Sequence, residues 1–279
     1  MKYINTAAFI KESNSRILKR LPGFIIKWIE KIILQEKLNQ ILTKYSDYQG
    51  LEFLPKIIEE FNITIEVLGK ENLPENRRCF FISNHPFGII DGLVLTKIVG
   101  DKYHVLKSIG NEALMYVPNL RPLIAAVNVF GRNSKDYVTE LENLFISDVP
   151  ITHFPAGEVS RFYSGKIQDC KWQKSFITKA ISFKRDVVPF YIYGRNSRFF
   201  YCLSSARRVL GIKTNIEIIL LPREMFRKKN KTIKVKIGKP IPSQKFDKTY
   251  SHWDWTDKVR KYVYDLEHNP ANDIFSDQK

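Results

Sequence analysis

The 279-residue chain carries 45 Lys+Arg against 29 Asp+Glu, a formal charge of +16, with 44% hydrophobic residues. That balance excludes a disordered chain, and a domain of this size buries about three quarters of its unfolded surface without disulfide support. Cys79, Cys170 and Cys202 are odd in number, widely spaced and free of CxxC or Cys/His spacing, which argues against a disulfide framework or structural zinc and for a reducing, cytoplasmic compartment.

Residues 1–8 have no apolar secretory core, and no run approaches the roughly 20 apolar residues of a membrane-spanning helix. Over residues 21–42, Phe24, Ile25, Trp28, Ile29, Ile32, Ile33, Leu38, Ile41 and Leu42 recur at three- and four-residue spacing with Lys27, Lys31 and Lys37 between them. This predicts an amphipathic helix or helix pair. Such a stripe suits packing on a core or lying in a lipid headgroup layer, and both readings stay open.

From residue 63 short β-rich runs appear at 63–68, 79–83, 104–107, 124–130, 151–154, 187–193, 216–221 and 233–237. Helical patterns fall between them at 90–99, 135–146, 172–183 and 197–210. The alternation predicts an α/β fold, a mixed, mainly parallel sheet flanked by helices, with ligands at the carboxyl ends of the strands. The organisation expected is an N-terminal amphipathic helical region (1–62), an α/β domain (63–268) and a flexible tail (269–279).

The run at 79–83 leads straight into Asn84-His85-Pro86-Phe87-Gly88-Ile89-Ile90-Asp91. Pro86 biases His85 towards extended backbone, and Gly88 permits a tight turn. At about 100° per residue, six positions on one helix would set His85 and Asp91 about 240° apart, so they meet only if His85 lies in the loop. A carboxylate so placed fixes the imidazole tautomer and leaves the other nitrogen to accept a hydroxyl proton. Chance supplies roughly 0.2 such pairs at this one spacing, so the pair alone is weak evidence. A second segment, Phe154-Pro155-Ala156-Gly157-Glu158-Val159-Ser160-Arg161, again directly follows a predicted strand. HExxH spacing, paired His/Cys ligands, a Gly-x-Ser-x-Gly elbow and glycine-rich nucleotide loops are absent, so no metal or cofactor is expected.

Both segments resemble the glycerolipid acyltransferase family, which includes lysophosphatidic acid acyltransferases and pairs a His–Asp box with a Phe-Pro-Glu-Gly-x-x-Ser box. The looser segments Val129-Phe130-Gly131-Arg132-Asn133 and Val187-Val188-Pro189-Phe190-Tyr191 extend the resemblance over roughly residues 63–240. Here the first box is His-x5-Asp rather than His-x4-Asp, a form similar to a hemolysin-like bacterial subgroup related to acyltransferases of ornithine and glycine lipids. Ala156 stands where the family usually has glutamate, which disfavours a glycerol-phosphate acceptor.

The resemblance implies that His85 is the base for the acceptor hydroxyl and Asp91 its orienting carboxylate. It implies that Arg132, Gly157, Glu158, Ser160 and Arg161 form the acceptor-binding set. The acyl donor would be a thioester of acyl carrier protein or CoA, and the acceptor a lysolipid such as a lyso-ornithine or lyso-glycine lipid, with 1-acylglycerol-3-phosphate as the alternative. Residues 195–239 hold thirteen Lys/Arg against Glu217 and Glu224. That surplus predicts a peripheral enzyme on the anionic inner face of a membrane. A non-catalytic protein binding anionic lipid or nucleic acid through the same stretch is the alternative of another class; no nucleic-acid partner is expected.

Overall fold

The computed structural model describes residues 3–12, 19–127 and 135–268. An N-terminal arm comprises α1 (Thr6–Glu12), α2 (Gly23–Ile32) and α3 (Gln35–Lys44), followed by α4 (Phe53–Glu60). The 21–42 pattern is therefore a pair of helices, broken where Leu34 adopts left-handed backbone, φ 55°. The arm is tied down by amides. Gln35 Oε1 accepts from Thr6 N and Thr6 Oγ1, both at 2.7 Å, and Asn39 exchanges two 2.8 Å bonds with the Ile4 backbone.

The sheet domain then runs β1 (Thr64–Leu68), β2 (Cys79–Ser83), α5 (Ile89–Tyr103), β3 (Lys107–Asn111), β4 (Ile124–Val127), α6 (Lys135–Ile146) and β5 (Ile151–His153). It continues with β6 (Arg161–Tyr163), β7 (Lys166–Gln168), α7 (Ser175–Phe183), β8 (Asp186–Ile192), α8 (Arg198–Val209), α9 (Leu221–Phe226), β9 (Thr232–Ile237) and α10 (His252–Asp265). Seven strands form one sheet in the order β1-β9-β8-β2-β5-β3-β4, and β6-β7 form a separate hairpin. Within the large sheet, among the described residues, only the β8–β9 pairing is antiparallel. The fold is thus a mixed, mainly parallel α/β sheet flanked by helices.

Strand β2 is central and buried at all five positions, as an apolar run sealed on both faces must be. Its side chains alternate. Cys79 and Phe81 join the core under α4 and α5, whereas Phe80 and Ile82 join the core under α7 and α10. Strand β8 splits likewise, Val188, Phe190 and Ile192 to the first core and Val187 and Tyr191 to the second. Each large apolar side chain so buried contributes about 1.5–3 kcal/mol, and the two layers hold the carboxyl ends of β2, β5 and β8 side by side.

Several expected elements shift. The run 216–221 is a 3₁₀ turn, Ile216–Leu220, leading into α9, with a proline in the first helical turn. A short apolar run does not by itself distinguish strand from helix, and Pro222 presets helical φ at a helix start. Strand β3 begins at Lys107 rather than at 104, because α5 persists to Tyr103 and His104 caps it with φ 55°. Residues 128–130 of the expected strand 124–130 lie outside the described residues. The β6–β7 hairpin and α10 were not expected.

Candidate active site

Asn84 extends the hold of β2 on β8 by side-chain bonds. Its Nδ2 donates to Ile192 O at 3.0 Å and its Oδ1 accepts from Ile192 N at 2.7 Å. The chain then leaves the sheet through His85 and Pro86 and enters α5 at Gly88, whose φ of 94° falls in a region L side chains rarely adopt. A Cβ there would also press within 3.0–3.1 Å of Leu221 and Val159. The ring of Phe87 fills the space above Gly194, where a Cβ would lie 2.2 Å from Phe87 Cζ. Glycine at both positions lets the turn seat against the neighbouring loops.

His85 therefore sits in the loop, and Asp91 in the first turn of α5. From there Asp91 Oδ2 reaches back to accept from Phe87 N at 2.9 Å and to meet His85 Nδ1 at 3.0 Å. A carboxylate in a helix's first turn is favoured by the unpaired N–H groups there. Asp91 is 0% exposed, whereas the His85 side chain keeps 16%. Because the carboxylate is an acceptor only, it fixes the proton on Nδ1 and leaves Nε2 as the free acceptor. The imidazole stacks on Phe154 at 4.1 Å and 24°, so the residue opening the second segment sets the ring plane of the residue carried by the first.

The second segment leaves β5 beside β2. Ala156 is buried, and Gly157 is an exposed turn residue with φ 68°. Glu158 is engaged by Tyr163 Oη at 2.8 Å and Asn215 Nδ2 at 3.4 Å. Ser160 N donates to His85 O at 2.8 Å, and Ser160 Oγ donates to Asp169 Oδ1 at 2.5 Å. Arg161 turns into the protein. Its Nε meets Glu217 Oε1 at 2.8 Å, its guanidinium lies 4.8 Å from the Phe200 ring centre, and Arg207 closes the other side of Glu217 at 2.8 Å. Burial opposes ionisation of Glu217, but its own backbone N–H and the two guanidiniums hold the carboxyl below its ordinary range. The structure thus gathers His85, Asp91 and Ser160 at one junction, sets Glu158 and Gly157 beside it and commits Arg161 to an internal ion triad. Arg132 lies outside the described residues.

Two further groups lie at the junction, and the sequence reading gave neither a part in the site. His153, at the end of β5, is paired in register with Ile82 and Ile109. Burial, with the neighbouring His85 second, pushes its imidazole down to about 4, so it is neutral at physiological pH. Asp169, 2% exposed, accepts from His85 N at 3.2 Å as well as from Ser160, and its Oδ2 accepts from Trp172 Nε1 at 2.8 Å. Burial pushes the Asp169 carboxyl up, against the pull of these donors and of His85. Nothing in the sequence around Asp169 marks it, since its partners are brought in by the fold.

Among the described residues no group of three or more His, Cys, Asp or Glu is placed to hold a metal ion. No described helix is long and apolar enough to cross a membrane.

Comparison with known proteins adds four findings. The family model described as Acyltransferase matches residues 8–272. The chain is 40% identical over 264 residues to a lyso-glycine lipid O-acyltransferase of Phocaeicola vulgatus, covering 94% of this chain and 95% of that protein. It is 41% identical over 249 residues to a lyso-glycine lipid O-acyltransferase of Bacteroides thetaiotaomicron, covering 89% and 92%. Among solved structures, the 1-acyl-sn-glycerophosphate (LPA) acyltransferase PlsC of Thermotoga maritima matches with a TM-score of 0.45 at 16% identity, over 95% of this chain and 89% of that one.

Proposed function

The chain belongs to the acyltransferase family, and from that premise we propose that it transfers a fatty acyl group from an acyl thioester to the free hydroxyl of a lyso-glycine lipid. The observation that carries this reading is the similarity, along nearly the whole chain, to two proteins named for that reaction. Ala156, a buried methyl where the glycerolipid resemblance would place a carboxylate, supports an acceptor other than a glycerol phosphate.

In this mechanism His85 Nε2 takes the proton of the acceptor hydroxyl as its oxygen attacks the thioester carbonyl. Asp91 holds the imidazole in orientation and stabilises the imidazolium that forms. When the tetrahedral adduct collapses, the C–S bond breaks and the departing sulfur of acyl carrier protein or CoA takes the proton back from Nε2. The ester bond replaces the thioester bond, and no other reactant is required.

The reaction site is proposed to work at an anionic membrane surface. None of the ten residues of α2 is buried, and Phe24 and Trp28 are 73% and 62% exposed. The helix packs beside the 3₁₀ turn at 216–220, and at the end of α8 Val209 is 87% exposed. Both acids of residues 195–229, Glu217 and Glu224, are buried, so the charge shown outward there by Arg208, Lys213 and Arg227 is basic. Each such cation near an anionic bilayer contributes on the order of 1 kcal/mol.

Lipid mass spectrometry on cells with the gene, without it and with His85→Ala tests the reading. Loss of the diacylated glycine lipid with accumulation of its lyso form, in both the deletion and His85→Ala cells, is the expected result. A change confined to phosphatidate-derived lipids would replace the acceptor by 1-acylglycerol-3-phosphate, and normal lipids in His85→Ala cells would remove the base.

A further inference from the structure

Both polar main-chain atoms of His85 are used, the carbonyl by the second segment and the N–H by Asp169 beyond it. Its carbonyl accepts from Ser160 N, and its N–H donates to the Asp169 carboxylate, which also takes the Ser160 hydroxyl. The catalytic loop and residue 160 are thus joined by a closed ring of hydrogen bonds in which Asp169 is the one charged member. Its other oxygen is filled by the Trp172 indole N–H. Three donors converge on two oxygens, an arrangement that favours the ionised carboxylate against the pull of burial. Asparagine in its place would turn an N–H₂ group either on Trp172 Nε1–H or on the His85 and Ser160 donors.

The hub is itself bolted to α10. Asp169 N donates to Tyr264 Oη at 2.8 Å, and Arg260 Nη2 donates to Asp169 O at 2.9 Å. The Arg260 guanidinium lies 4.9 Å from the Tyr264 ring centre. The cation thus meets the carbonyl of Asp169, while its carboxylate is held by uncharged donors alone. A buried charge that no cation cancels acts on its neighbours at low effective dielectric. The other groups around the imidazole are Asp91 from α5, neutral His153 from β5, and Cys170, Arg260 and Tyr264 behind Asp169.

We infer that Asp169 is a positioning residue for acyl transfer: its carboxylate fixes the His85 main chain against residue 160 and stabilises the imidazolium that His85 becomes as it takes the acceptor proton. The inference rests on His85 being the base. It adds a second carboxylate, on a different element from Asp91 and bonded to the backbone rather than to the ring.

The test compares wild type, His85→Ala, Asp169→Asn and the double variant Asp169→Asn/Trp172→Phe, which removes the donor facing the new amide. Steady-state rates are taken with an acyl thioester and the purified lyso-glycine lipid across pH 5–9, with thermal unfolding alongside. The expected result for the folded double variant is a kcat lower by about ten- to a hundredfold, with KM changed less than about threefold. The acid limb of its pH–rate profile should move to lower pH by about one unit, because the imidazolium has lost a stabilising charge. A kcat within twofold of wild type would overturn the inference, and a lower kcat with the acid limb in place would overturn its electrostatic half. Should neither Asp169 variant fold, Ser160→Ala decides. It opens the ring while leaving the carboxylate, so kcat should fall with the acid limb unmoved, and an unchanged kcat would overturn the inference. Full activity in His85→Ala would instead end the reading on which the inference rests, and that outcome is distinct from a silent Asp169 variant beside an inactive His85→Ala.

Discussion

Glu217 and Asp169 are both buried carboxylates bonded to adjacent residues of one segment, Arg161 and Ser160, yet they are satisfied by opposite means. Glu217 lies between the guanidiniums of Arg161 and Arg207, so its charge is spent on its partners and the triad acts as a brace. Asp169 has only a main-chain N–H, a hydroxyl and an indole, so its charge remains available to the imidazole beside it. Burying a charge is costly unless it is paired or fully hydrogen-bonded. The brace uses the first solution, and the reaction side uses the second.

The contrast is broken most forcefully at the reaction side. In Asp91→Asn the amide oxygen can still accept from Phe87 N, but it no longer provides the anion that fixes the His85 tautomer and balances the imidazolium. We expect kcat to fall by about 10²–10⁴ with the unfolding temperature nearly unchanged. A fall in stability matching the fall in rate would make Asp91 a fold residue instead.

On the brace side Glu217→Gln should do the reverse. It leaves two guanidiniums without their anion, which costs about 3–5 kcal/mol, read by urea unfolding, while kcat of the folded protein stays within about threefold. Acid sharpens the same contrast. The folded Glu217 carboxyl titrates below its unfolded value, so its contribution is present above the unfolded pKa, about 4.3, and is lost as pH falls through the folded one.

His153 responds in a higher window. Its folded pKa, about 4, lies below the ordinary 6.5, so the fold favours the neutral ring. Stability from this site is complete above about 6.5 and declines as pH falls towards 4. Between pH 7 and 5 the wild type should lose about 2 kcal/mol that His153→Asn does not, measured as the difference between their urea midpoints at each pH. Parallel losses in both proteins would show that His153 is protonated freely in the fold.

How much of this was legible follows from the separation of the partners. Strands β2 and β8, the His85 loop and the strand-to-loop step at 154–161 rest on runs of neighbouring residues, and the six-residue gap from His85 to Asp91 required the loop that the structure shows. The hub and the brace have no local signature. His85 meets Asp169 across 84 residues, Arg161 meets Glu217 across 56, and Asp169 meets Tyr264 across 95. Placing Ser160 and Arg161 in the acceptor-binding set treated them as free donors, and only the fold supplies the carboxylates they already hold. The 216–221 run misled for a related reason. Its Ile-Glu-Ile-Ile-Leu pattern reads as a strand, but Glu217 is drawn inward by two arginines and Pro222 starts a helix.

The smallest effect on stability is expected at α2, and it separates the arm from both carboxylate systems. An apolar residue left exposed in the folded chain contributes little to folding, so Phe24→Ser/Trp28→Ser should move the urea midpoint by no more than about 0.5 kcal/mol. The same change removes two of the most exposed aromatic side chains beside a basic surface. Cosedimentation with vesicles of mixed neutral and anionic lipid should therefore drop several-fold, and activity on acceptor presented in vesicles should drop with it, while activity on detergent-dispersed acceptor is retained. Raised salt should weaken the remaining binding, because the basic side chains then act alone and are screened. If the double variant instead unfolds early, α2 packs on protein in solution; if it binds vesicles as wild type does, the bilayer contact lies elsewhere on the basic surface.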